Sequence, residues 1–184
     1  MKVVSEGRLF SMEEPGFDSV EERLRRAESL REIEECVLHY TRCADMADPI
    51  GMAACFTSDA RLRWTPDGEP VACGRKAILR HFEAIMGRAR AQEHFCTNFQ
   101  ILFRSAGLAV GECNMFSWQM WKDGSRPSTI CSGKYEFKAM LEEGQWRLAS
   151  LCMILNAKIE SGGIADGRIA EHLGRPWPPK GIGE

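Results

Sequence analysis

Residues 94–159 read HFCTNFQILFRSAGLAVGECNMFSWQMWKDGSRPSTICSGKYEFKAMLEEGQWRLASLCMILNAKI. Four segments of this stretch, 94–103, 108–121, 128–141 and 146–159, are rich in aromatic and branched apolar residues, the composition of strands. Between them lie Ser105-Ala106-Gly107, Lys122-Asp123-Gly124 with Pro127, and Glu142-Glu143-Gly144, each with the glycine that a tight reversal needs. Long strands joined by short turns predict an antiparallel meander. The third segment alternates most cleanly, with Cys131, Gly133, Tyr135, Phe137, Ala139 and Leu141 on one face and Ser132, Lys134, Glu136 and Lys138 on the other. One face is therefore expected to pack inward. The second and fourth segments are apolar on both faces, so the outer surface of the sheet also needs a cover, most simply a second copy of the chain.

The chain before residue 94 has a different period. Over 29–47, Leu30, Ile33, Val37, Tyr40 and Ala44 recur every three or four residues, predicting one amphipathic helix. Asp48-Pro49 breaks it, since a residue before proline is pushed out of the α region and proline suits the first turn of a new helix. A short helix over 49–56, a strand over 60–64, a turn at Pro66-Asp67-Gly68 and a helix from Gly74 to Gly87 follow. Helices first and a strand meander afterwards define an α+β fold. Residues 1–27 read as an N-terminal arm, 28–160 as a single domain, and 161–184, with Arg175-Pro176-Trp177-Pro178-Pro179, as a tail over the sheet, the pocket or a partner subunit.

Composition excludes several classes of function. Lys and Arg number 24 against 26 Asp and Glu, so there is no broad basic field for nucleic acid. No apolar run approaches the ~20 residues of a membrane helix, and the first residues lack a signal-peptide core, so a cytoplasmic location is expected. The eight cysteines are scattered singly without a CxxC pair, and neither they nor the four histidines have zinc-ligand spacing. Reduced core cysteines, no metal and no cofactor are expected.

The string LREIEECVLHYTRCADMADPIGMAACFTSDARL at 30–62, with GRKAILRHF, EHFCTNFQI, GKYEFKA and GQWRLASL after it, resembles the SnoaL-like branch of the nuclear-transport-factor-2-like superfamily. The likeness spans residues 30–159. It implies a cone: a strongly curved antiparallel sheet wrapped around the N-terminal helices and enclosing an apolar pocket. Similar members include scytalone dehydratase, bile acid dehydratase and a hexachlorocyclohexane dehydrochlorinase. In these an Asp near the end of the first helix works with a His on the first long strand, and in the bile acid enzyme with a helix Tyr. Asp45, His94 and Tyr40 stand at the matching positions. Scytalone dehydratase adds a second His on the next strand, but residues 108–121 contain none.

Those residue types suit the chemistry the resemblance implies. Imidazole exchanges protons near neutral pH, a carboxylate on one ring nitrogen fixes the tautomer, and a phenol can donate to an enolate oxygen. Each also has a plain reading: a solvated Asp45 near a helix end, a His94 satisfied by backbone, a Tyr40 in the core. Tyr40 and Asp45 are about 140° apart on an ideal helix, so convergence requires a distorted last turn. Alternation puts Asn98 on the face of His94, where it would orient a substrate oxygen. Phe56, Trp64, Trp118, Met153 and Asn156 are candidate pocket walls, while His39 and Asp48 read as structural. The expected function is a cofactor-independent lyase or isomerase acting on a small apolar cyclic ketone, in a homodimer or homotrimer. The alternatives are a non-catalytic binding or assembly module, and a polyketide cyclase or epoxide hydrolase.

Overall fold

A computed structural model describes residues 19–122 and 128–161. Its first helix, α1 (Val20–Asp45), begins well before the residue that apolar spacing indicates. The start is a capping box: the Ser19 hydroxyl accepts from the Glu22 N–H and the Glu22 carboxylate accepts from the Ser19 N–H, both at 3.1 Å. Residues 20–27 thus leave the expected arm and join the helix. The amphipathic fragment Val20 to Leu24, too short to fold alone, is exposed and depends on that cap and on the rest of the helix. Farther along, Ile33, Val37, Tyr40 and Ala44 are buried, as their periodicity requires. The rest of the arm and the tail beyond 161 lie outside the described residues.

After α2 (Pro49–Ala54) come β1 (Phe56–Arg63), β2 (Ala72–Cys73), α3 (Arg75–Met86), β3 (Ala89–Ser105), β4 (Leu108–Trp121), β5 (Ser128–Glu142) and β6 (Gln145–Ser161). They form one six-stranded sheet in the order β2-β1-β6-β5-β4-β3. The antiparallel meander β3 to β6 is the expected one, and β1 adds parallel to β6. The reversal between β5 and β6 uses Glu143 (φ 53°) and Gly144 (φ 78°), two left-handed residues that match the twist of the flanking strands.

The curved, open sheet holds the core on its inner side. Cys131, Tyr135, Phe137 and Ala139 of β5 are buried there as alternation predicts, together with Leu148 and Leu151 of β6, whereas Leu141 at the rim is exposed. Ile33, Val37 and Tyr40 of α1 and Ile78 and Phe82 of α3 close over them. Gly133 marks the tightest contact in the meander, since a Cβ there would stand 2.0 Å from the Ile154 carbonyl oxygen.

On α3, His81 stacks beside Trp64 with ring centroids 5.6 Å apart. Its Nε2 is buried with no hydrogen-bond partner among the described residues, and burial lowers the pKa of the ring. The unfolded chain therefore binds a proton at higher pH than the folded one. Stability should fall as pH drops below the unfolded value of about 6.5. Thermal midpoints recorded between pH 7.5 and 5.5 are expected to show this decline, and His81→Phe to flatten it. An equally steep decline in the variant would assign it to another group.

Candidate active site

Asp45 is the last residue of α1, and the way that helix ends decides where its carboxylate points. Met46 is the C-cap. Ala47 takes a left-handed φ of 54° and donates to the Ala44 carbonyl at 3.0 Å, while the Asp48 N–H donates to the Cys43 carbonyl at 2.8 Å. These paired bonds are a Schellman ending, usually built around glycine. Asp48 then caps α2 by accepting from the Gly51 N–H at 2.9 Å. An alanine in the left-handed region costs roughly 1–2 kcal/mol, partly offset in any glycine variant by the looser unfolded chain. Ala47→Gly should thus raise stability by about 0.5–1 kcal/mol, read as a higher urea midpoint; an unchanged or lower midpoint would contradict this.

The helix end is held by β3, whose alternation turns Gln92, His94 and Cys96 toward it. The buried Gln92 amide donates to the Ala44 carbonyl, a second donor on an oxygen that already accepts from the Ala47 N–H. Two residues on, the His94 backbone N–H donates to Asp45 Oδ2 at 3.1 Å, and the ring Nδ1 lies 2.6 Å from Asp45 Oδ1. Both carboxylate oxygens are engaged by one residue. A carboxylate only accepts, so in the neutral ring the contact favours the tautomer with the proton on Nδ1 and the lone pair on Nε2. The His94 side chain is 10% exposed and Asp45 23%, enough cover to reduce screening.

Around the pair, Ser117 stands opposite His94 in the β3–β4 register, shares its face and is buried. Cys131 lies opposite Ser117 in turn. The Cys96 thiol, two residues from His94, lies beside Cys113 and Thr41, and the neighbouring Cys113 thiol is the main cause of its lowered pKa. Tyr40 is 3% exposed, with its ring 5.7 Å from Phe56, 5.9 Å from Phe82 and 6.0 Å from Tyr135. Burial pushes both phenols up, and the Asp45 carboxylate adds to the rise at Tyr135.

Several expected wall residues fall elsewhere. Asn98 has φ 55° at the irregularity of β3 between Thr97 and Gln100 and is exposed, because a bulge interrupts the alternation that would have placed it beside His94. Asn156 is likewise exposed at the extra position of β6 between the Leu155 and Ala157 pairs. Trp118 follows Ser117 and so occupies the opposite, outer face. Phe56 opens β1 rather than closing α2, and is fully buried between Tyr40 and Phe82. Trp64 and Met153 pack against the core from partly buried positions, Met153 opposite Tyr135. Gln92 and Ser117 were missed: both follow from His94 once inward faces and register are known, but register is not visible in one strand. Clefts of about 790, 490 and 400 Å³ among the described residues are lined by neither Asp45 nor His94. Among the described residues no three His, Cys, Asp or Glu side chains are grouped to hold a metal ion, and no helix is long and apolar enough to cross a membrane.

A curved six-stranded sheet packed on its N-terminal helices has a family counterpart. The SnoaL-like domain profile matches residues 25–151, and the chain belongs to that family. Among solved structures, a putative scytalone dehydratase from Novosphingobium aromaticivorans superposes with a TM-score of 0.68 at 23% identity, covering 78% of this chain and 98% of that one. The LinA-type3 hexachlorocyclohexane dehydrochlorinase from Novosphingobium barchaimii gives 0.68 at 20% identity, covering 77% and 96%. A putative aromatic ring hydroxylase from Novosphingobium aromaticivorans gives 0.67 at 20%, covering 73% and 94%. At these identities the likeness is one of fold. The chain has no significant match among curated proteins.

Proposed function

We propose that this chain is a cofactor-independent lyase or isomerase in which His94 takes a proton from carbon next to a carbonyl. The observation that carries this reading is the double engagement of Asp45 by His94, through Nδ1 at 2.6 Å and the backbone N–H at 3.1 Å. The carboxylate orients the ring and stabilises the imidazolium formed when Nε2 accepts the proton. The Ser117 hydroxyl, on the same face one strand away, is suited to donate to the enolate oxygen, the role expected of Tyr40 or Asn98. Loss of a β leaving group, or return of the proton to another carbon, then completes an elimination or an isomerisation. The SnoaL-like family and the fold shared with a putative scytalone dehydratase and a dehydrochlorinase support this class of chemistry. A small cyclic apolar substrate is the proposed class.

The test is solvent exchange. Incubated in D2O with 2-tetralone, an apolar cyclic ketone with acidic α-hydrogens, the protein should speed deuterium entry at the α-carbon above the buffer rate. Binding of the ketone without faster exchange across pH 5–9 would instead favour a binding module. We also read the outer sheet face, where Phe95 and Phe116 are 51% and 44% exposed with rings 6.2 Å apart, as the contact with further copies of the chain. Sedimentation at the mass of one chain would contradict that reading.

A further inference from the structure

All eight cysteines are free thiols, but four that are distant in sequence meet as pairs. One pair, Cys96 and Cys113, belongs to the site above. The other has no part in it. Cys36 lies in the middle of α1 and Cys55 is the C-cap of α2, and the packing of the two helices brings their side chains together, with the Cys55 thiol donating to the Gly51 carbonyl at 3.4 Å. Cys36 Sγ is also 3.5 Å from the Cys55 carbonyl oxygen. The Cys55 backbone is pinned, since its carbonyl accepts from the Leu148 N–H at 2.8 Å and its N–H donates to the Met52 carbonyl at 3.2 Å. The two cysteines are therefore neighbours where α1 packs on the α2–β1 junction.

This contact forms part of the wall of the cleft of about 790 Å³, along with Arg31, His39 and Arg147. Cys36 is partly exposed there, whereas Cys55 is buried behind it. Arg147 is fixed beside the pair by donating to the Ala54 carbonyl. The Cys55 thiol and the Arg147 guanidinium both favour the Cys36 thiolate, against burial and the nearby Glu35, and the net direction is downward; Cys55 is held far above its ordinary value. A partly exposed thiol whose ionisation is favoured, with a second thiol beside it, has the arrangement of an attacking and a resolving cysteine.

We propose that Cys36 and Cys55 are a redox modification site, in which a hydroperoxide entering the cleft oxidises Cys36 and Cys55 closes a disulfide between α1 and the α2–β1 junction. The Cys36 thiolate attacks one peroxide oxygen, the O–O bond breaks, and hydroxide leaves and is protonated to water. The Cys55 sulfur then attacks the sulfenic sulfur, the S–S bond forms, the S–O bond breaks, and the oxygen departs as water with the remaining protons. Two thiols lose two electrons and hydrogen peroxide becomes two waters.

The experiment is hydrogen peroxide titration of the full chain, followed by thiol alkylation and peptide mass mapping. Cys73, exposed and remote in the fold, is the internal control. The Cys36–Cys55 linkage, two hydrogens lighter than the separate peptides, should appear at least about tenfold faster than Cys73 is modified. In Cys55→Ser, Cys36 should stop at a sulfenic acid that dimedone traps; in Cys36→Ser, Cys55 should stay reduced. The inference is overturned if Cys36 of the unmodified chain stays reduced while Cys73 oxidises. It is equally overturned if Cys36→Ser leaves the oxidation of Cys55 unchanged. The mapping of the unaltered chain needs no variant to fold.

Discussion

His94→Ala should lower the rate of α-deuterium entry into 2-tetralone by about 10²–10⁴, the usual contribution of a positioned general base. The fold should survive, because the imidazole sits at the edge of the core, 10% exposed, and the backbone N–H that binds Asp45 Oδ2 is kept. Asp45→Asn is the sharper variant. The asparagine oxygen can still accept from the His94 N–H, but its amide can present N–H to Nδ1, which favours the tautomer with the proton on Nε2. The base would then be blocked while the shape is conserved, and a loss approaching that of the alanine variant is expected. Near-normal exchange in Asp45→Asn would mean that the carboxylate does not orient the ring, and near-normal exchange in both variants would remove the dyad from the chemistry.

The largest expected loss of stability is at Phe56. Its ring is fully buried and joins α1, α3 and β1 through Tyr40 at 5.7 Å and Phe82 at 6.2 Å. Phe56→Ala removes that burial and leaves a cavity in a close-packed interior, a change that costs about 3–5 kcal/mol. Urea denaturation should show a midpoint lowered accordingly with an unchanged slope. The same measurement separates core from pocket wall. A wall residue would alter ketone binding and leave the midpoint within about 1 kcal/mol, since surface-like positions seldom matter more than that.

What could be read from sequence divides along physical lines. The helix face of Ile33, Val37, Tyr40 and Ala44 and the inward set of β5 were legible because burial imposes periods of 3.6 and 2 on the apolar residues themselves. The first turns of α1 were not, because they are exposed and rest on a capping box rather than on an apolar stripe. Asn98 and Asn156 were misplaced for one reason: a bulge shifts alternation by one residue and leaves no apolar mark. Trp118 was misread because aromatic character says nothing about face. Asp45 and His94 came from a family likeness, and their 2.6 Å contact depends on a helix ending that uses alanine where glycine would have signalled the turn. The Cys36–Cys55 contact joins residues 19 apart through the α1–α2 packing, so no CxxC spacing announces it.

The proposed chemistry turns on which nitrogen of His94 carries the proton. Long-range ¹H–¹⁵N correlation spectra of the histidine rings, assigned with His94→Ala and recorded as His94 deprotonates, report this directly. The neutral ring should carry its proton on Nδ1, with Nε2 at the shift of an unprotonated nitrogen, and Asp45→Asn should reverse the pattern. A neutral His94 with its proton on Nε2 in the unaltered protein would contradict the assignment of that nitrogen as the base.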